Sequence, residues 1–281
     1  MKRLLIAAGF LFFITVLVFA FRWPVPEIAL RSTFAVAELG QNLRGLQFDN
    51  QDGGVQAISD GELLFHASGR SLPGNFPVPD GSMVALAHPR DILSVYTGIE
   101  QSLDEQLSGP VFEGDILGYS KPGVPLKLFV FDRKAGLFIN PLALLPQMAD
   151  TRAPQLRALS LRLGGADIAA DKAKAIAQGQ YQLILDALDL LPVPAQALPF
   201  SIRLLLNGVE RQRLVFDSIK AEKGSLVFPS MLNSQPAAVF TAEGFLNLGT
   251  YIFASGSTLV SISLQDYFGN RIERSWTVTV P

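Results

Sequence analysis

LRGLQFDNQDGGVQAISDGELLF, residues 43–65, is the stretch on which the reading of the fold turns. Its second half contains a Gly53-Gly54 turn, a short apolar run with Val55 and Ala57, an Asp60-Gly61 turn and a second run over 62–66. Two β-prone runs joined by Asp-Gly are a hairpin signature, because both residue types tolerate the backbone a tight turn demands. The same style continues on either side. Between 28 and 145, β-prone runs at 33–37, 55–58, 62–67, 82–87, 92–97, 115–118 and 126–131 are broken by Gly, Pro and Asp. A helical pattern appears only weakly, at 103–107, and the segment 68–81 carries too many prolines and glycines to be a strand. An antiparallel β domain is predicted.

A polar joint, Asp150-Thr151-Arg152-Ala153-Pro154, follows. Beyond it, 156–163 alternates apolar and polar, as a strand with one buried face does. Residues 169–177, AADKAKAIA, hold strong helix formers and predict a short helix ended by Gly179. Further β-runs lie at 181–185, 200–206, 213–216, 225–228, 245–248, 258–264 and 274–280, separated by turns such as Asn207-Gly208, Lys223-Gly224 and Gly269-Asn270. Short strands at this spacing predict a β-sandwich. The expected organisation is 1–22 as signal peptide or membrane anchor, 23–149 as a first β domain and 150–281 as a sandwich.

With 281 residues the chain is long enough for two cores. A net charge of −2 and the lack of a basic stripe argue against a nucleic-acid partner. The start of the chain reads Lys2-Arg3, an uncharged run over 4–21, then Arg22-Trp23-Pro24. That is the order of an export signal, and Val18-Phe19-Ala20 offers a cleavage site. As a helix the run would measure about 27 Å, close to a hydrocarbon core of about 30 Å, so cleavage and retention as an anchor both stay open. The chain has no cysteine, hence neither a disulfide nor a lipid-modified cysteine. Export to a periplasm, or to the outer face of an inner membrane, is the expectation.

Four motifs, in one order, carry a family resemblance. VQAISDGELLFHA (55–67), VALAHPRDILSVYTGIE (84–100), VFEGDILGYS (111–120) and FINPLALLP (138–146) resemble the lysostaphin/LytM-type zinc metallopeptidase domain, which hydrolyses peptide bonds of peptidoglycan. SLQDYFGNRIERSWTVTV (263–280) is similar to the last hairpin of bacterial immunoglobulin-like modules. The resemblance implies an all-β chain: a LytM-like antiparallel domain followed by an immunoglobulin-like β-sandwich.

It also implies where a catalytic zinc would sit, on two His and one Asp with an open position for water. The family's His-x-Gly-x-Asp segment falls on Leu43-Arg44-Gly45-Leu46-Gln47, which keeps the glycine and lacks both ligands. Its Tyr-x-His turn reads Tyr96-Thr97-Gly98, and its His-x-His strand falls on Lys127-Leu128-Phe129. Leu43, Gln47 and Phe129 thus stand at the ligand positions, and no cofactor is expected. The remaining groove surface, Leu43, Gln47, Tyr96, Lys127 and Phe129, supplies candidate partner contacts, and filling space is the alternative role for each.

The two histidines, His66 and His88, fall outside the family's ligand positions and read as exposed or hydrogen-bonded loop residues. The spacing of His66, His88 and Asp49 gives no support to a metal site. Aromatics of the second half, such as Tyr181, Phe216, Phe253 and Trp276, alternate within apolar runs and are expected in the core rather than on a glycan platform. Asp186, Asp189 and Asp266 lack the local clustering of a calcium loop and are expected as turn caps. The resulting functional expectation is an exported, non-catalytic envelope protein that uses a degenerate peptidase fold to bind peptidoglycan or to control a murein hydrolase. An active zinc endopeptidase and a purely structural envelope protein are the alternatives.

Overall fold

The computed structural model describes residues 21–38, 41–42, 44–49, 53–67, 81–101 and 109–281. The expected signal or anchor over 4–21 falls almost wholly outside them, as do the helical pattern at 103–107, nearly all of the loop at 68–81, and Leu43. No helix among the described residues is long and apolar enough to cross a membrane.

The chain is all-β and its sheets are antiparallel. In the first half, Leu126–Asp132 is central. It pairs with Ile92–Gln101 on one side, and on the other with Leu46–Phe48 along its first half and Leu137–Ile139 along its second. Ser82–His88 and Gly61–Ala67 continue the sheet beyond Ile92–Gln101. Strand alternation sends Leu46, Phe48, Val84, Leu86, Tyr96, Leu126, Leu128 and Val130 into one core, each 1% exposed or less. At about 1.5–3 kcal/mol per fully buried aliphatic side chain, this face fixes the register, since a one-residue slip would turn it to the other side.

The resembling motifs are bonded to one another. The Ala57 carbonyl accepts the Gly114 amide at 3.0 Å, the Ala57 amide donates to the Asp115 carbonyl at 2.9 Å, and Asp60 Oδ1 accepts the Glu113 amide at 2.8 Å. Asp115 Oδ2 closes its own turn on the Phe112 amide at 2.8 Å. Their turn residues are scaffold, which is why they are legible without any catalytic group.

The second half is a two-layer sandwich. One sheet runs Ala166–Ala169, Gln155–Leu163, Gly179–Leu190, with Leu246–Phe253 on the last. The other runs Val209–Val215, Ser201–Leu206, Gly256–Gln265, Arg271–Val280. Between them lie Leu161, Tyr181, Leu183, Leu185, Leu204, Phe216, Leu248, Phe253, Ile262 and Val278. Tyr181, Phe216, Phe253 and Trp276 are buried, as their alternation predicted.

Three local expectations are corrected. The run 33–37 is not a strand: the strand is Leu30–Ser32, and Phe34 with Ala35 turns away, Ala35 at φ 66, to join the sandwich core. The run 169–177 is not a helix. After the strand Ala166–Ala169 and one 3₁₀ turn, Ala170–Lys172, the chain bonds to the last strand instead, Thr279 donating to the Ala173 carbonyl and Ile176 to that of Thr279. Ala170, Ala173 and Ile176 are buried by this packing, which outweighs helix propensity. Finally, 225–228 joins neither sandwich sheet, although Phe228 packs in the sandwich core. Ser218–Glu222 pairs with Leu137–Ile139, and Ser225–Val227 with Ser218–Glu222, extending the first sheet with strands from beyond the joint.

Candidate functional site

Because Leu126, Leu128 and Val130 face the core, Lys127, Phe129 and Phe131 project from the opposite side of the same strand. Lys127 stands between Gln47 on one neighbouring strand and Thr97 on the other. Phe129 stands beside Val95, which in turn faces Ala85. Phe131 packs on Phe138 with ring centroids 5.0 Å apart, and the Arg44 guanidinium lies 4.9 Å above the Phe138 ring. The fold thus brings three expected positions, Gln47, Lys127 and Phe129, to one sheet face.

Accessibility divides them. Lys127 and Phe129 are half-buried and reachable, whereas Gln47 is 2% exposed and is a buried amide rather than a surface contact. Tyr96 is a correction of a different kind. It pairs with Leu128 and so points to the core face, fully buried, where its hydroxyl accepts the Ile58 amide at 2.9 Å. Burial pushes its phenol pKa up. Tyr96 is a core residue that closes a backbone bond, not a groove contact.

Two glycines explain the local backbone. An added Cβ at Gly45 would stand 2.1 Å from the Leu128 carbonyl oxygen and 2.9 Å from Phe129 Cδ1. Gly45 is therefore required for the Leu46–Phe48 segment to approach its neighbour. Gly98 has φ +85, and a Cβ there would stand 2.4 Å from the Pro125 carbonyl oxygen. No side chain, imidazole included, fits that position without moving the backbone.

The donor set on this face is an amide, an ammonium, a hydroxyl and a phenyl ring. Zinc takes imidazole, thiolate or carboxylate, so Gln47, Lys127 and Phe129 do not fit the metal that the resemblance implies. The face can accept a carboxylate at Lys127 and apolar groups at Phe129.

The histidines are elsewhere. His88 is the last residue of Ser82–His88 and is buried; its Nε2 lies 2.7 Å from Ser94 Oγ and its Nδ1 2.7 Å from the Asp60 carbonyl. Burial lowers its pKa, opposed by the Asp60 carbonyl and charge. It is hydrogen-bonded as expected, but in the strand and not in an exposed loop. His66, His88 and Asp49 do not gather.

What sequence reasoning missed lies at the joint. Asn140, read as part of a family motif, donates from Nδ2 to the Phe216 carbonyl at 2.9 Å and to the Tyr267 hydroxyl at 2.7 Å. Nearby, Asp150, Asp189 and Asp266 bring carboxylate oxygens within 4.8 Å of one another. Asp266 is the turn cap expected of it, accepting the Phe268 and Asn270 amides, each at 2.8 Å. Asp189 caps nothing. Burial, with Asp266 and Asp150 alongside, pushes its carboxyl pKa up to about 7. Asp150 and Asp266 are 116 positions apart in the sequence, so no local pattern could announce the cluster.

No curated protein matches the sequence. A family model matches residues 153–281, the part of the chain that holds the sandwich and the two strands it lends to the first sheet. Among solved structures, Helicobacter pylori Csd3 from the hexagonal crystal is similar at 21% identity over 46% of this chain and 34% of that one, TM-score 0.36. The SpoIIQ–SpoIIIAH pore-forming complex is similar at 16% identity over 47% of this chain and 94% of that one, TM-score 0.36. Lysostaphin from Staphylococcus simulans is similar at 11% identity over 73% of this chain and 85% of that one, TM-score 0.33. The chain spans about a third of the length of Csd3 in either of its crystal forms. Likeness at this level assigns no activity, and the functional reading rests on the chain's own residues.

Proposed function

We propose that this is an exported, non-catalytic envelope protein whose first β domain is a degenerate LytM-type module, used to bind peptidoglycan or to control a murein hydrolase. The observation that carries the reading is the occupancy of one sheet face. Gln47, Lys127 and Phe129 stand together on it; the resemblance aligns them with a zinc ligand, a catalytic histidine and a second ligand, and none is a residue type that zinc sites use. Gly98 stands where the other catalytic histidine is expected and has no room for a side chain. Removing an ion while keeping its ligands would strand buried polar groups at about 1–3 kcal/mol each, so a phenyl ring at position 129 suits a face that works without metal.

Lys127 would pair with a carboxylate of a stem peptide or of a protein partner, and Phe129 would cover apolar groups beside it. The second half is read as an immunoglobulin-like spacer or second interface. Its strand order supports this: the first, second and fifth long strands form one sheet, and the fourth, third, sixth and seventh form the other, the A-B-E against C′-C-F-G arrangement. The exported location rests on the charged, apolar and proline-marked order of residues 1–24.

The test is sedimentation of the purified full chain with isolated peptidoglycan, and its capture of purified murein hydrolases, for wild type and for Lys127→Ala combined with Phe129→Ala. The reading expects at least a several-fold loss of one of these interactions in a variant whose circular dichroism is unchanged. Equal binding by wild type and variant, or no binding to either class by wild type, would overturn it.

A further inference from the structure

We propose that Asp150, Asp189 and Asp266 form a calcium site that fastens the joint between the two halves of the chain. The three come from separate elements: Asp150 from the joint itself, Asp189 from the end of Gly179–Leu190, and Asp266 from the turn that follows Gly256–Gln265. One oxygen of each lies within 4.8 Å of the others. Oxygens on opposite sides of one calcium ion, at about 2.3–2.6 Å each, stand about that far apart.

Proximity alone would not make a site; the state of Asp189 does. Its side chain is 0% exposed, and neither carboxylate oxygen makes a hydrogen bond of normal geometry, the adjacent Leu190 amide acting on it only weakly. Asp150 contributes a third such atom, Oδ2, from a side chain only 2% exposed. Three other aspartates among the described residues are served: Asp60 by the Glu113 amide, Asp132 by the Ala135 amide, Asp217 by the Ser230 hydroxyl. Asp266 is held in place by the two turn amides and by Asn270 Nδ2 at 2.7 Å, and the same Nδ2 bonds the Asp150 carbonyl at 3.2 Å. The cluster is therefore prearranged, with one oxygen of each carboxylate within 4.8 Å of the others.

Charge points the same way. Against three carboxylates the neighbourhood offers Arg152, whose Nε lies 3.5 Å from Asp150 Oδ1 while its Nη2 is bonded to the Leu191 carbonyl and its side chain is half exposed. Ionised carboxylates left in this setting are costly unless a cation neutralises them. An all-oxygen set with three carboxylates suits calcium, which takes about six to eight oxygens and completes its shell with carbonyls or water. Magnesium is commonly held by only one or two carboxylates, and zinc favours nitrogen and sulfur. A bound ion would tie the joint residue to two strands of the sandwich.

The test is calcium titration of the chelator-treated full chain, followed by calorimetry and thermal unfolding. One calcium should bind, with Tm rising by roughly 5 °C or more at saturation, and magnesium should be much weaker. Asp189→Asn removes the charge at constant shape and should abolish both calcium binding and the Tm shift while the calcium-free protein stays folded; Asp150→Asn should weaken binding at least tenfold. A wild-type Tm indifferent to millimolar calcium, or a calcium response that survives Asp189→Asn, would overturn the proposal.

Discussion

Asn140 and Tyr267 are joined by a 2.7 Å hydrogen bond from the amide of one to the hydroxyl of the other, 127 residues apart in sequence. The same amide serves the Phe216 carbonyl, and Asn140 Oδ1 caps the following 3₁₀ turn at the Leu142 amide, 3.1 Å away. Leu137–Ile139, just before Asn140, pairs with Ser218–Glu222. The joint is thus a continuous sheet with a polar clasp at its end rather than a flexible tether. Asn140→Ala should leave the buried Phe216 carbonyl and Tyr267 hydroxyl unserved and lower stability by about 3 kcal/mol. Urea denaturation checks this, and a single transition seen by both fluorescence and circular dichroism is expected for wild type.

Tyr96 distinguishes a core role from a groove role. Tyr96→Phe removes the acceptor of the buried Ile58 amide and should cost about 1–3 kcal/mol without altering binding of any partner. A binding defect at unchanged stability would return Tyr96 to the surface.

Gly98 is closed to substitution. Gly98→His, the residue that the resemblance implies at this position, should destabilise the protein by about 2 kcal/mol or more, because a left-handed backbone and the Pro125 carbonyl both oppose a Cβ. Gly98→Ala should show much of the same loss, which denaturant melts of the two variants would reveal. Gly45→Ala should be at least as harmful, because its Cβ would meet a backbone carbonyl of the central strand.

His88 sets a pH dependence. Burial depresses its folded pKa below the ordinary 6.5, so in that range the unfolded chain binds more protons than the folded one. The contribution of neutral His88 is fully present above about pH 6.5 and is lost as pH falls through that value toward the folded pKa. Thermal melts between pH 8 and pH 5 should therefore fall more steeply for wild type than for His88→Gln, and the difference between the two curves isolates this group. Identical slopes would contradict the assignment.

How much was legible follows from which interactions are local. The Asp60-Gly61 and Gly114-Asp115 turns could be read because Asp and Gly tolerate the backbone of a tight turn, and most strands declared themselves by alternation. Phe34 and Ala35 could not be placed in the sandwich core, nor 218–227 in the first sheet, because those pairings join segments more than seventy residues apart and leave no local period. The helix formers at 169–177 misled for the same reason: the edge of the last strand offered better bonds than a helix of two turns. At the site, the residue types at positions 47, 96, 127 and 129 were readable, but which of them reach solvent was not. Tyr96 and Gln47 turned out to be interior once the register of Leu126–Asp132 was known.

The account's central claim is that the first domain works without a catalytic metal. It is tested most directly by measuring the zinc content of the full chain after zinc-supplemented expression, together with release of muropeptides from isolated peptidoglycan. The account predicts substoichiometric zinc and no release above that of a heat-denatured control. One tightly held zinc per chain, with release that a chelator abolishes, would contradict it.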